Sequence, residues 1–313
     1  MARTDTVGPT GADSPDSTLD HDVLVVGGGA AGLSAATFLA RYGLDTLVLA
    51  RGKSAIQQCA VLENFLGFPV GITPDRFLEL GRTQVAYEGG TVREETVESV
   101  ERVDIEEPPT DAGGEPLDSS GFEIESDDGD YRVRYVLAAT AYDGEMFEPF
   151  IEEIETDEAF GMVDSENGRT PVDGLYAAGW MTTETVHQAI VSAGHGAHAA
   201  LSLIRDDIAA RYWPAVADHY VDWVVHDGRY AGDEAWDDHT REWFENEILV
   251  DDVDSGLADA ALEHLKSEFL DRQISTDERT RRDRDGQRAL LETMDDDVVS
   301  EYAASLGTND DRN

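Results

Sequence analysis

The sequence predicts an α/β fold: a parallel sheet with helices, a small antiparallel β insertion and a helical C-terminal extension. Three observations predict it. Residues 22–49 read as an apolar strand, a glycine-rich turn, an Ala/Leu-rich helix and a second strand. Short alternating segments flank a stretch rich in Pro, Gly, Asp and Ser at 106–120. From about residue 205 the chain becomes acidic, helical in pattern and tryptophan-bearing.

Each element follows from its residues. Asp22–Val26 is a short apolar run that ends in Gly27-Gly-Gly-Ala-Ala-Gly32, and Leu33 to Tyr42 is a helix closed by Gly43. Thr46–Leu49 is β-branched and aliphatic, hence a strand. Residues 51–69 form a loop; Pro74 to Glu88 is a helix with Thr73 at its N-cap and Pro74 at its first position. Thr91–Val103, Phe122–Ser126 and Tyr131–Leu137 are strands, with 106–120 a hairpin loop or disordered insertion. Gly174–Gly179 is a buried strand and Val186–Ile204 a strong helix. The expected organisation is a disordered tail over 1–20, a nucleotide-binding domain over 20–204 and an acidic helical extension over 205–313.

Charge narrows the function. The chain of 313 residues has 23 basic and 67 acidic side chains, a net charge of −44. Such a field repels phosphate backbones and anionic lipid, which argues against nucleic-acid or membrane partners. No apolar run reaches the roughly 18–20 residues that span a bilayer, and residues 1–20 lack a signal-peptide pattern. Lysine occurs at Lys53 and Lys266 alone, and acid is spread along the whole chain. That bias suits a salt-rich cytoplasm, where screening removes self-repulsion, so a halophilic, cytoplasmic protein is expected. One cysteine, Cys59, excludes an intrachain disulfide and any Cys-x-x-Cys exchange chemistry.

Gly27-x-Gly29-x-x-Gly32 follows a strand and opens a helix, as a Rossmann-like dinucleotide loop does. The first glycine makes the tight turn, the second admits a pyrophosphate to the backbone, and the third lets helix and strand approach. The helix start supplies free N–H groups and a positive dipole end. The acid that bonds the ribose should fall at Ala50. Arg51 follows it, either a contact to the adenosine part or a phosphate, or a solvated loop arginine.

Four blocks resemble the thioredoxin-reductase-like flavoproteins. They are Asp22-Val-Leu-Val-Val-Gly-Gly-Gly-Ala-Ala-Gly32; Gln58 with Glu63-Asn-Phe-Leu-Gly-Phe-Pro69; Val136-Leu-Ala-Ala-Thr140-Ala141; and Gly161, Arg169-Thr170, Gly174-Leu-Tyr-Ala-Ala-Gly179, His187-Gln-Ala189 and Ala193-Gly-His-Gly196. The resemblance covers about residues 20–204 and implies FAD. It places Gly27, Gly29, Ala30, Ala31 and Gly32 at the pyrophosphate, Gln58 and Asn64 near the ribityl chain and flavin, and Val97 at the adenine. Thr140, Gly179, Trp180 and His187 belong to the same site, with the backbone of Gln188 and Ala189 at the flavin pyrimidine. There a helix dipole would stabilise negative charge on the reduced ring.

The resemblance also shows departures. Members with two domains carry a nicotinamide domain between the third and fourth blocks. Here about 20 residues separate Ala141 from Gly161, fewer than the roughly 30 of one βαβ unit. The family's acid after Gly179 is Trp180, which accepts no hydrogen bond and either stacks on the flavin or fills its space.

Other candidates have bland and sharp readings. Cys59 is expected as a small buried hydrophobe, the alternative being a thiol active beside the flavin. His187 is a candidate proton donor, and no metal site is expected at His195 and His198, which lack a further fixed ligand. Trp213, Trp223, Trp236 and Trp243 are expected in a helical core or a homodimer face. Arg279 to Arg288 reads as a solvated helix. The expected function is an FAD-dependent oxidoreductase without its own nicotinamide domain, served by an unknown redox partner or small-molecule substrate. The alternative is a redox-inactive nucleotide-binding sensor or scaffold.

Overall fold

The computed structural model describes residues 19–141, 144–150, 167–184, 186–226, 234–251 and 253–309. The expected tail, apart from its last two residues, and Gly161 lie outside them. The chain divides into two units: Met1–Trp223 with Tyr230–Asp271, and Val224–Arg229 with Arg272–Asn313.

The first unit is built on one mixed sheet. Strands β1 (His21–Val26), β2 (Thr46–Leu49) and β3 (Thr91–Arg93) run parallel in the order β3-β2-β1. On the other side of β1 lies β6 (Asp130–Ala138), also parallel. The first half of β6 pairs antiparallel with β5 (Ser120–Ser126), which pairs with β4 (Val97–Asp104); its second half pairs parallel with β7 (Leu175–Ala177). The antiparallel insertion therefore grows out of a strand of the parallel sheet. Residues 106–120 are an ordered connection carrying the bridge Thr110↔Pro116.

Strand residues alternate between two apolar layers, which fixes register. Val23, Val25, Val48, Tyr135 and Leu137 face the helices. Leu24, Val26, Leu47, Leu49, Val136 and Ala138 face the layer of Phe122, Ile124, Val133 and Phe150. Helix α1 (Ala30–Tyr42) is buried nearly all round and packs on α3 (Ala189–Arg211). Small residues permit this: a Cβ on Gly196 would lie 1.9 Å from the Ala31 carbonyl oxygen. Helix α2 (Pro74–Tyr87) starts as expected at Pro74.

The change of character at residue 205 is not a structural boundary. Helix α3 runs through it, and α4 (Pro214–Ala217), α5 (Glu234–Trp243) and α6 (Ser255–Asp271) belong to the first unit. The reason is Asp207, fully buried on α3. It accepts from Arg211 Nε at 2.8 Å, Arg134 Nη1 at 3.1 Å, Tyr135 OH at 3.2 Å and Tyr42 OH at 3.3 Å. Burial and the Asp207 charge push both tyrosines up, so they remain donors. Trp213 is buried and donates Nε1–H to Ile248 O at 2.8 Å, and Trp236 stacks on Phe269. Trp243 meets His219 edge-on. Trp223 departs from the expected core role: it is 59 % exposed.

The second unit pairs β8 (Val225–His226) with β9 (Gln273–Ile274) and adds helices α7 (Thr276–Glu292) and α8 (Asp296–Asn309). No residue of α7 is buried, and Arg281 and Arg282 both pair with Glu278 one turn back, as a solvated helix would. Among the described residues, no helix is long and apolar enough to cross a membrane.

Candidate functional site

Strand order reverses at β1, and a cavity of about 710 Å³ opens beyond the carboxyl ends of β1, β2 and β6. In open α/β sheets this is where ligands sit. The three loop glycines play separate parts. Gly27 has φ +112°, and a Cβ there would lie 2.6 Å from Ala139 O. A Cβ on Gly32 would lie 1.8 Å from Gly27 O. Both glycines seat α1 against the sheet. Gly29 has an ordinary extended backbone, φ −83° and ψ −168°, and its added Cβ would meet a single side-chain atom, Ser54 Oγ at 3.0 Å. Its bareness serves the cavity and not the packing.

Two helix starts border this cavity. At α1 the N-cap is Gly29 and the first turn holds no acid; at α3 the N-cap is Gln188, again without acid in the first turn. Gly29 has no side chain to cap α1, and the Gln188 side chain does not cap α3. Instead Gln188 Oε1 accepts from Asn64 Nδ2 at 2.7 Å, tying α3 to the loop after β2. The free N–H groups and dipole ends that remain suit an anion. Beside them, Trp180 meets His187 edge-on, ring centroids 4.5 Å apart. Thr140 Oγ1 lies 2.9 Å from Met181 Sδ.

A third wall lies past β2 and β3. Arg51 pairs with Asp127 Oδ2, and Asp127 Oδ1 accepts the Thr96 N–H at 2.9 Å. Glu95, 6 % exposed, accepts at Oε2 from Tyr131 OH at 2.7 Å and Ser126 Oγ at 2.8 Å. Burial, then the Glu95 bond, raises the Tyr131 phenol and keeps it a donor. Arg82, Glu94 and Lys53 complete this side of the wall.

Gly27, Gly29, Ala30, Ala31, Arg51, Asn64, Val97, Thr140, Gly179, Trp180, His187, Gln188 and Ala189 all line the cavity. Gly32 lies beneath the loop. Gln58 does not reach the wall: it is exposed, and Gln57 takes the place. The 3₁₀ turn Ala55–Gln58 turns Gln57 inward, its Oε1 accepting from Ser54 N and its Nε2 donating to Asp75 at 2.6 Å. Cys59 is not a buried hydrophobe; it caps that turn, is exposed and lines the cavity. His195 Nε2 stands 3.6 Å from Glu184 Oε2, while His198 is exposed. Sequence reasoning missed Glu95, whose partners Ser126 and Tyr131 are more than thirty positions away.

The fold is a Rossmann-like α/β fold with a cavity at the point where its strand order reverses. Residues 20–59 match a family model described as FAD binding domain. The chain is similar, at 40 % identity over 83 residues, to the bifunctional thioredoxin reductase/thioredoxin of Mycobacterium leprae (strain TN), covering 26 % of this chain and 18 % of that protein. It is 31 % identical over 123 residues to the thioredoxin reductase of Treponema pallidum (strain Nichols), covering 39 % and 35 %. The match therefore spans about a fifth to a third of these curated relatives. The solved thioredoxin reductase from Gloeobacter violaceus superposes with a TM-score of 0.52 at 17 % identity, over 66 % of this chain and 100 % of that one. This likeness establishes a thioredoxin-reductase-like fold.

Proposed function

We propose that the cavity takes FAD and that the chain is an FAD-dependent oxidoreductase of thioredoxin-reductase-like type. The observation that carries this reading is the bare Gly29 backbone at an acid-free helix start, opening into a cavity bordered by a second such start. Its volume is in the range of cofactor sites, and the donor chemistry fits: N–H groups of α1 for a pyrophosphate, Asn64 for hydroxyls, N–H groups of α3 for a heterocycle's carbonyls. Bound there, FAD would supply two-electron transfer at its isoalloxazine. Gly27 to Ala31 hold the phosphates, and Asn64 with Gln188 positions the adjoining chain. The α3 dipole favours negative charge at its end of the cavity. Trp180 excludes water beside that end, and His187 stands next to it as a proton carrier.

The reading extends to electron supply. The roughly 20 residues between Ala141 and Gly161 leave no room for a nicotinamide domain at that point of the chain. Electrons then arrive from a partner protein or a substrate that meets the flavin directly, in a salt-rich cytoplasm. The test is purification in high salt, with the released cofactor identified by mass spectrometry. The expected result is a yellow protein releasing FAD, bleached by dithionite but negligibly by NADPH or NADH. A colourless protein that FAD does not reconstitute would overturn the proposal in favour of a redox-inactive role, with Trp180 filling the flavin's space.

A further inference from the structure

We propose that Glu95 is the carboxylate that recognises the ribose hydroxyls of the bound nucleotide, an inference that rests on the dinucleotide reading of the cavity. A Rossmann-like site needs an acceptor for the ribose hydroxyls near the end of its second strand. Here that position is Ala50, whose methyl accepts nothing. The neighbouring strand supplies the acid. Leu49 pairs with Arg93 and Ala50 N–H donates to Arg93 O at 2.9 Å, so the chain leaving β3 passes beside the end of β2. Glu95 follows two residues later, on the cavity wall.

Its surroundings preorganise it. Oε2 is satisfied by Tyr131 and Ser126. The nearest cation to Oε1 is Arg93 Nη1 at 3.8 Å, beyond hydrogen-bond reach. A carboxylate held by one oxygen, with the other short of a donor, matches a pair of hydroxyls. It mismatches a 2′-phosphate, which would meet a like charge. Arg51, which follows Ala50, pairs with Asp127, and Asp127 in turn holds Thr96 next to Glu95.

The experiment titrates apo-protein in high salt with ADP, 2′-deoxy-ADP and adenosine 2′,5′-bisphosphate by calorimetry. The wild type is expected to prefer ADP to 2′-deoxy-ADP by about tenfold, the worth of a charge-assisted hydrogen bond. Glu95→Gln keeps an oxygen for Tyr131 and Ser126 but turns an amide donor toward the diol; its preference should collapse toward unity. A structural role alone would weaken both nucleotides equally. A wild type that binds both equally, an unchanged ratio in Glu95→Gln, or tighter binding of the 2′,5′-bisphosphate than of ADP would overturn the assignment. If the wild type binds neither ADP nor FAD, the dinucleotide reading falls and this one with it.

Discussion

Gly29→Ala and Gly32→Ala should separate ligand binding from packing within one short motif. The Gly32 Cβ would sit 1.8 Å from Gly27 O and 3.3 Å from Val25 Cγ1. Contacts under 3.0 Å essentially never occur, so α1 would have to retreat by at least 3.0 − 1.8 = 1.2 Å. It has nowhere to go, because α3 already presses on its other side, Gly196 against Ala31. The cost belongs at the top of the overpacking range, about 3 kcal/mol or more, or roughly 6–12 °C in Tm for a unit of this size. At Gly29 the backbone is one any residue adopts, and Ser54 Oγ can rotate away. Loss of a glycine N-cap costs under about 1 kcal/mol, and the stiffer unfolded chain returns about as much. Its Tm should stay within about 3 °C of wild type, while cofactor retention is lost. The assay is thermal unfolding of the apo forms in molar salt, since bound ligand itself raises Tm, beside the flavin released per chain. A Gly32→Ala protein that melts like wild type, or a Gly29→Ala protein that keeps its full cofactor, would refute the division of labour.

Asp207→Ala should cost about 3–5 kcal/mol by leaving the buried Arg134 and the half-buried Arg211 without their acid, read as a lowered denaturation midpoint. His264 is held down to about 4 by burial first and by Arg211 second, against the pull of Asp207. The unfolded chain therefore takes up this proton first as pH falls from 6.5, and stability should drop by up to about 3 kcal/mol between there and pH 4. Glu268, 3.7 Å away, reduces that figure. His264→Phe, stacked alike on Tyr212, should flatten this part of the stability–pH curve. With a net charge of −44, Tm should fall as salt is diluted from molar to millimolar; a constant Tm would count against the halophilic reading.

The legible parts of this chain are those whose signal is local. Strand β1, the glycine loop and α1 are contiguous, and apolar alternation with a glycine spacing predicts both their form and their place. The boundary expected at 205 failed because composition cannot say where a carboxylate points. Asp206 and Asp207 look like solvated acid, yet Asp206 binds Arg169 and Tyr176 while Asp207 is a buried anchor. Cys59 and Gln58 failed by a similar route: a 3₁₀ turn sets which neighbour faces inward, and the difference between Gln57 and Gln58 is one position.

The distribution of acid carries information that its total hides. Acids at a helix start are favourable, and in this chain α2, α7 and α8 carry them in their first turns. Helix α6 lacks one there but is served by Asp254, whose Oδ1 accepts from Gly256 N at 2.8 Å. Helices α1 and α3 have neither an acid in the first turn nor a side-chain cap, and both start on the cavity; the single-turn α4, away from the cavity, also lacks both. Two starts without negative charge, in a chain with 67 acidic residues, are consistent with the proposed cofactor, whose phosphates would be the anion there. Against this background a buried carboxylate on another wall of the same cavity requires its own justification. Glu95 stands away from both helix starts in sequence, held by two hydroxyl donors, and a further hydroxyl is the partner that would complete its shell without opposing the phosphates at α1.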